Sequence, residues 1–471
     1  MTDNSTQEKT NQKNSSRSNL TQGKIFSSLL RLGLPIAGVQ VMHMAYNITD
    51  MFWLGQVSSD ALASSGVAGL FLWLSVGLML IGRVGAEIGV AQARGRGDVE
   101  DAYRFSKAAL YIAAILGILY GAFIFLFRVP LVGFFNFQEA RVAADAANYM
   151  AIMAFGIPAV YIASTIDGTF LSSGNSRTPF LIGSAGLILN MILTPIFVIY
   201  FELGVIGAAT SSILSQYVAF VVRIIAIKRF KSRPFDTYRF LSPIKPSAII
   251  TDLRTGTARQ IFRLTLPICL ENTLFPLLTM VTTRFEISFS TSAASLSRVG
   301  TQVESLSWLV GAGFGAALTA FVGQNFSAGK MDRVSKGVRY ATLSLIFWGM
   351  MVTGILWFGG DIIFAIFLPE YAVDPKLRSL FIIYLRILAA CQIFSNLEYV
   401  ATNAFRGKGK TIPPSVISIT SNIIRVPLAY FLSLTSLGVL GIWIAISFSA
   451  GLRGAGIFLW YLWDGRRVKQ H

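Results

Sequence analysis

Twelve apolar stretches of bilayer-crossing length recur along this chain, and they leave few folds open to it. They cover approximately residues 32–56, 64–92, 105–127, 142–171, 180–201, 204–227, 260–289, 297–325, 338–359, 377–404, 413–434 and 437–463. Inside hydrocarbon an unpaired backbone amide or carbonyl finds no water, so a spanning segment must be a helix or part of a closed barrel. Barrel strands are about ten residues long and alternate in polarity. These stretches are longer and apolar throughout, which predicts an all-α polytopic membrane protein. Composition agrees: 54% of residues are hydrophobic and only 13% are charged, about half the charged share of a soluble domain.

The charges between the spans test the count. If the N-terminus is placed on the cytoplasmic side and each span flips the side, 29 of the 40 Lys and Arg fall on that side. The opposite side receives only Arg128, Arg141, Arg298, Lys376 and Arg378. Basic loops are retained inside, so this asymmetry favours twelve spans with both termini cytoplasmic. The net charge of +17 is therefore spread along one membrane face, and nucleic-acid binding is not expected. Cys269 and Cys391 both lie in apolar spans, and His43 and His471 are the two histidines. Neither set forms a disulfide framework or a metal motif. The reading divides the chain into a disordered cytoplasmic tail (1–24), a six-helix lobe (25–228), a basic cytoplasmic loop (229–259), a second six-helix lobe (260–464) and a short tail (465–471).

The two halves repeat one another. Arg31-Leu-Gly-Leu-Pro35 recurs as Arg263-Leu-Thr-Leu-Pro267, an offset of 232. Gln92 with Gly97 recurs as Gln324 with Gly329, and Asn190 with Pro195 recurs as Asn422 with Pro427, all at 232. Gly204 and Gly207 recur as Gly438 and Gly441 at 234. Four motifs in order at nearly one offset indicate a duplication. An even number of spans per half makes the repeats parallel, two pseudo-symmetric lobes about an axis along the membrane normal. Two lobes facing a cleft suit alternating access, and no GxSxG, HExxH or histidine cluster suggests an enzyme.

Charges inside the spans are the candidate functional groups. Asp50 lies in the first span, fifteen residues after Pro35, roughly 22 Å along a helix. In the second half Glu271, one turn past Pro267, with Arg284 and Glu398, are candidates to line a substrate cleft.

At these residues the chain resembles the MATE (multidrug and toxic compound extrusion) family, closest to its DinF-like prokaryotic branch. The carriers are Leu34-Pro35, Asp50 before Phe52-Trp53-Leu54-Gly55, Ala61-Leu62-Ala63, Gln92 with Gly97-Asp98, Ser173-Gly174-Asn175 with Pro179, and Asn190 with Pro195. The resemblance spans about residues 25–463. It implies a monomeric inner-membrane antiporter without a cofactor, exporting small lipophilic, cationic molecules against entry of sodium or protons. It also implies a cation site in the N-terminal lobe. Asp50 matches the span-1 aspartate of that site, Tyr149 the span-4 tyrosine, Asn190 the span-5 asparagine and Thr210 the span-6 threonine. Where a second span-5 aspartate is usual this chain has Thr194, and Asp167 stands where span 4 commonly has asparagine. The second carboxylate is expected to have moved to span 4, giving a sodium site of Asp50, Asp167, Asn190 and Thr194. A buried aspartate that carries a proton is the alternative. Either ion would neutralise the site and let span 1 bend at Pro35. The repeat pairs Asp50 with Arg284 and Thr194 with Val426, so the second lobe should lack the site. A lipid-linked oligosaccharide flippase of the same superfamily is the other reading, kept open by Arg284, Arg386 and Arg425.

Overall fold

The computed structural model describes residues 20–135, 139–229, 256–289, 291–367 and 374–468. The first half contains α1 (Ile25–Val57), α2 (Ser59–Arg96), α3 (Val99–Gly133), α4 (Ala140–Ser172), α5 (Arg177–Pro195) and α6 (Gly204–Arg229). The second contains α7 (Thr257–Phe289), α8 (Thr291–Ser327), α9 (Met331–Phe358), the short α10 (Gly360–Phe367), α11 (Pro375–Gly407), α12 (Ile412–Ser433) and α13 (Val439–Val468). Twelve of these helices are long and apolar enough to cross a membrane. Most of the basic loop, residues 230–255, lies outside the described residues.

Local chemistry sets the helix ends. The Ser58 hydroxyl accepts the Ala61 N–H at 3.0 Å, and the Asp374 carboxylate accepts from Lys376 and Leu377 ahead of Pro375. Each satisfies a first-turn donor that has no intrahelical partner. The repeated glycines have a physical basis. Gly97 and Gly329 sit at φ of +77° and +72°, and Gly204 and Gly438 at +51° and +53°. A side chain would strain that left-handed turn, so both copies hold glycine. Pro195 ends regular α5, and Ile196–Tyr200 continue it as a π turn.

α1–α6 form one bundle and α7–α13 the other, with α4 and α8 the most deeply buried spans. The bundles exchange packing in a pseudo-symmetric way: α1 lies against α8, and α7 lies against α2. Large apolar side chains such as Leu126, Phe155, Phe347 and Phe431 are exposed on the outer surface, where they match hydrocarbon. The lobes meet from the middle of the helices to the end carrying the N-terminus and the basic turns. Gly33 rests on Phe314, Gly77 on Thr273 and Gly85 on Ile261. A Cβ on Gly95 would stand 2.3 Å from the Gln324 carbonyl, so only glycine permits that approach. Gly55, Gly66 and Gly69, toward the other end, have nothing within 4 Å.

The residues just before α1 depart from the expected disordered stretch. Residues 20–24, expected in the disordered stretch, are ordered, and Leu20 is fully buried among Leu29, Phe321, Val334 and Val338. The Leu20 side chain enters a core that local composition does not reveal.

Candidate functional site

Pro35 cannot donate a backbone hydrogen bond, which leaves the Arg31 carbonyl without its helical partner. The Ser176 hydroxyl, at the turn into α5, donates to that carbonyl at 3.1 Å. α1 therefore runs unbroken through Pro35, with its weak point secured by α5.

Four turns further on, α1 presents Asp50 to α5 and α6. Asn190 and Thr194, one turn apart on α5 and both buried, face it. Thr194 Oγ1 lies 3.0 Å from Asp50 Oδ1, 3.2 Å from Asn190 Oδ1 and 3.0 Å from Ser211 Oγ. Asn190 Nδ2 donates to Ser212 Oγ at 3.1 Å, and Tyr46 Oη lies 3.1 Å from the same oxygen. Tyr46 also lies within electrostatic range of Asp50. Tyr149 is buried on α4 within electrostatic range of Asp50 and Tyr46.

The protons do not suffice for these oxygens. Thr194 has one hydroxyl hydrogen and three oxygens around it. Ser211 gives its own hydrogen to the Ala208 carbonyl at 2.9 Å. Asn190 turns its amide NH2 away to Ser212. A carboxylate, an amide carbonyl and a second hydroxyl thus converge on the single Thr194 hydrogen. Such a cluster offers the oxygen donors that a hard cation takes, and a carboxylate that can hold a proton.

Two expected members stand elsewhere. Thr210 turns its hydroxyl back to the Ile206 carbonyl of its own helix at 2.8 Å. Its neighbours Ser211 and Ser212 take the place expected of it. Asp167 does not join Asp50. Both its oxygens are bound by Arg223 of α6, from Nε and Nη2, each at 2.9 Å. Asp167 is eighteen residues along α4 from Tyr149, about 27 Å at helical rise, which removes it from the Asp50 cluster. His43 lies near this ion pair and near Arg83. The moved-carboxylate expectation is therefore corrected: the position that lacks the acid in span 5 is filled by a hydroxyl, and Asp167 neutralises an intramembrane arginine. Asp167→Asn is expected to cost about 3 kcal/mol of stability by stranding Arg223, while gradient-driven transport survives. Denaturant unfolding in micelles and transport in liposomes check the two halves of that statement.

The second lobe has a different interior. Arg453 Nε donates to Glu398 Oε2 at 2.7 Å and its Nη1 to Asn422 Oδ1 at 3.1 Å. Arg425 Nε donates to Ser449 Oγ at 2.8 Å, and its guanidinium lies over the Phe275 ring. Ser415 donates to Glu271 at 3.0 Å, and Gln392 to Glu304 at 2.9 Å. Glu271 and Glu398 both lie within electrostatic range of Arg453, which joins them in one charged network. Arg284 is exposed on α7, thirteen residues, or about 20 Å along the helix, from Glu271. It is not part of that network. Asn422, the duplicate of Asn190, accepts from Arg453 where Asn190 accepts from Thr194. The halves share a frame and differ in its polar filling.

Tyr46, Ser211, Ser212, Arg223, Glu304 and Arg453 were not singled out from the sequence. Tyr46 lies one turn before Asp50 on the same helical face, a usable signal. Arg223 is a cation inside an apolar span, and that alone asks for a carboxylate.

Comparison with known proteins decides the family. A family model described as MatE matches residues 35–196 and again 267–431. This chain belongs to the MATE family. Its two matched segments begin 232 residues apart, the offset of the internal repeat. A probable multidrug resistance protein NorM of Thermotoga maritima is 26% identical over 94% of either chain. A MATE protein solved in complex with MaD3S superposes with a TM-score of 0.85 at 20% identity, covering 96% of this chain and 99% of that one. An outward-facing multidrug resistance MATE family transporter of the MOP superfamily superposes at 0.81 with 21% identity, over 95% and 97%. The MATE chain described above is a multi-pass membrane transporter and not an enzyme.

Proposed function

We propose that this MATE protein exports small lipophilic, cationic molecules in exchange for a cation entering at Asp50. The observation that carries the reading is the oxygen cluster at Thr194, which has one hydrogen for three neighbouring oxygens. The relatives, probable multidrug resistance proteins, support the cargo class. Sodium fits the donor set, since hard cations take carboxylate, carbonyl and hydroxyl oxygens. A proton on Asp50 satisfies the same deficit. The basic end of the bundle is cytoplasmic in this reading, so a cleft closed there faces outward. Ion binding removes the Asp50 charge and changes what α1 prefers to contact, which biases the two lobe arrangements.

The test is ethidium efflux from proteoliposomes under an imposed sodium gradient and, separately, a proton gradient. Uptake or release that follows one gradient supports the reading and identifies the ion. No dye movement under either, with folded protein, overturns it. The same assay separates neighbouring hydroxyls. Thr194→Val is expected to weaken apparent ion affinity tenfold or more, the scale of one hydrogen bond to a charged group. Thr210→Val is expected to change it less than twofold, because that hydroxyl serves its own helix. The lipid-linked cargo alternative depends on free cleft arginines. Arg425 bonds Ser449 and Arg386 lies over the Trp357 ring, whereas Arg284 is exposed on α7.

A further inference from the structure

The duplicated glutamines have no part in the Asp50 site, yet both sit where the lobes close. Gln92 is near the end of α2, and its Nε2 donates to the Gly407 carbonyl, the last of α11, at 3.1 Å. Gln324 is near the end of α8, and its Nε2 donates to the Ser172 carbonyl, the last of α4, at 2.7 Å. Each lobe thus sends the glutamine of its second span across the interface. Each glutamine caps the fourth span of the other lobe. Last-turn carbonyls lack an intrahelical donor, so these acceptors are free to be used this way.

Gln324 carries a second task. Its Oε1 accepts the backbone N–H of Leu20 at 3.1 Å. The Leu20 carbonyl accepts from Asn325 Nδ2 at 3.1 Å and from Arg333 Nη2 at 3.3 Å. Arg333 also bonds the Gln22 and Gly23 carbonyls, and Lys330 bonds that of Thr21. The segment before α1 is strapped across the ends of α8 and α9, and its first amide orients the Gln324 side chain toward Ser172.

We propose that Gln92 and Gln324 are a reciprocal latch holding the two lobes together at the basic end, and that the Leu20–Gly23 strap sets the Gln324 half of it. Opening the cleft toward the basic end then requires both amides to leave the opposite helix ends. The strap makes the latch unequal: losing Leu20 weakens one arm only. What the latch means for transport rests on the two-lobe exporter reading above, but the contact itself does not.

Cys269 reports on it. This cysteine of α7 is buried, and its carbonyl would stand 3.1 Å from a Cβ on Gly77 of α2, in the interface between the lobes. In a Cys391→Ser background, an impermeant maleimide applied to inside-out membrane vesicles reads how often that interface opens. Gln92→Ala and Gln324→Ala are each expected to speed labelling about fivefold, the factor for one net amide–carbonyl hydrogen bond. The double variant is expected near twenty-five-fold. Thr353→Val, which removes a bond to the Ala389 carbonyl within one lobe, should leave labelling unchanged. Leu20→Ser should speed labelling alone and beside Gln92→Ala, yet add little beside Gln324→Ala, because it acts through that side chain. Unchanged labelling in both glutamine variants, or an effect no larger than that of Thr353→Val, would overturn the latch. Equal additivity of Leu20→Ser with both glutamines would overturn the strap's role. The assay uses neither ion nor dye, so its failure leaves the exporter reading standing, and the converse also holds.

Discussion

Asp50→Asn is expected to bring gradient-driven dye efflux to the background of empty liposomes while the protein remains folded. The asparagine keeps the size of the side chain and one acceptor oxygen. It removes the negative charge that any entering cation must neutralise. It also supplies two N–H hydrogens of its own to a cluster otherwise short of them, so the hydroxyls of Thr194 and Ser211 find partners without an ion. The variant therefore mimics the neutralised site permanently, and a coupling ion has nothing left to change. Substrate binding need not fall in proportion. Dye affinity kept within a fewfold, together with absent gradient response, is the expected signature, measured by fluorescence titration beside the efflux assay. Gradient-driven efflux that persists in Asp50→Asn would move the coupling site away from α1.

Arg453→Met is expected to be the most destabilising single change in the second lobe, at about 4 kcal/mol. Its guanidinium bonds Glu398 and Asn422, and the pair is about 15% exposed on either side. Removing it strands the Glu398 charge in a low-dielectric interior. Changing Glu398→Gln in the same chain should recover most of the loss, since the uncompensated charge goes with it. Denaturant unfolding of the purified single and double variants reads the difference. No recovery in the double variant would mean that Arg453 acts through packing rather than charge. By contrast Val426→Ala, at the position that duplicates Thr194, is expected to be mild for coupling, because the second lobe does not repeat the Asp50 chemistry.

The amino-acid sequence by itself determined the spans, their number and the duplication; the grouping of Asp50 with Asn190 and Thr194 came from the family resemblance. Hydrocarbon imposes these with little freedom: an apolar run of bilayer length must be a helix, and an acid within it must find polar company. Asn190 and Thr194 were legible as a pair because one helical turn separates them. The tertiary structure decided the rest. Successive residues on a helix point about 100° apart, so which of Thr210, Ser211 and Ser212 meets Thr194 depends on the rotation of α6, which its packing on α4 and α5 sets. Asp167 and Arg223 are fifty-six residues apart, and only the packing of α4 against α6 makes one the answer to the other. Leu20 is a single apolar residue in a polar tail, and only the groove between α8 and α9 gives it a place. Gln92 and Gln324 were visible as duplicates, but their reach into the opposite lobe is a property of two bundles facing each other, which no local pattern encodes.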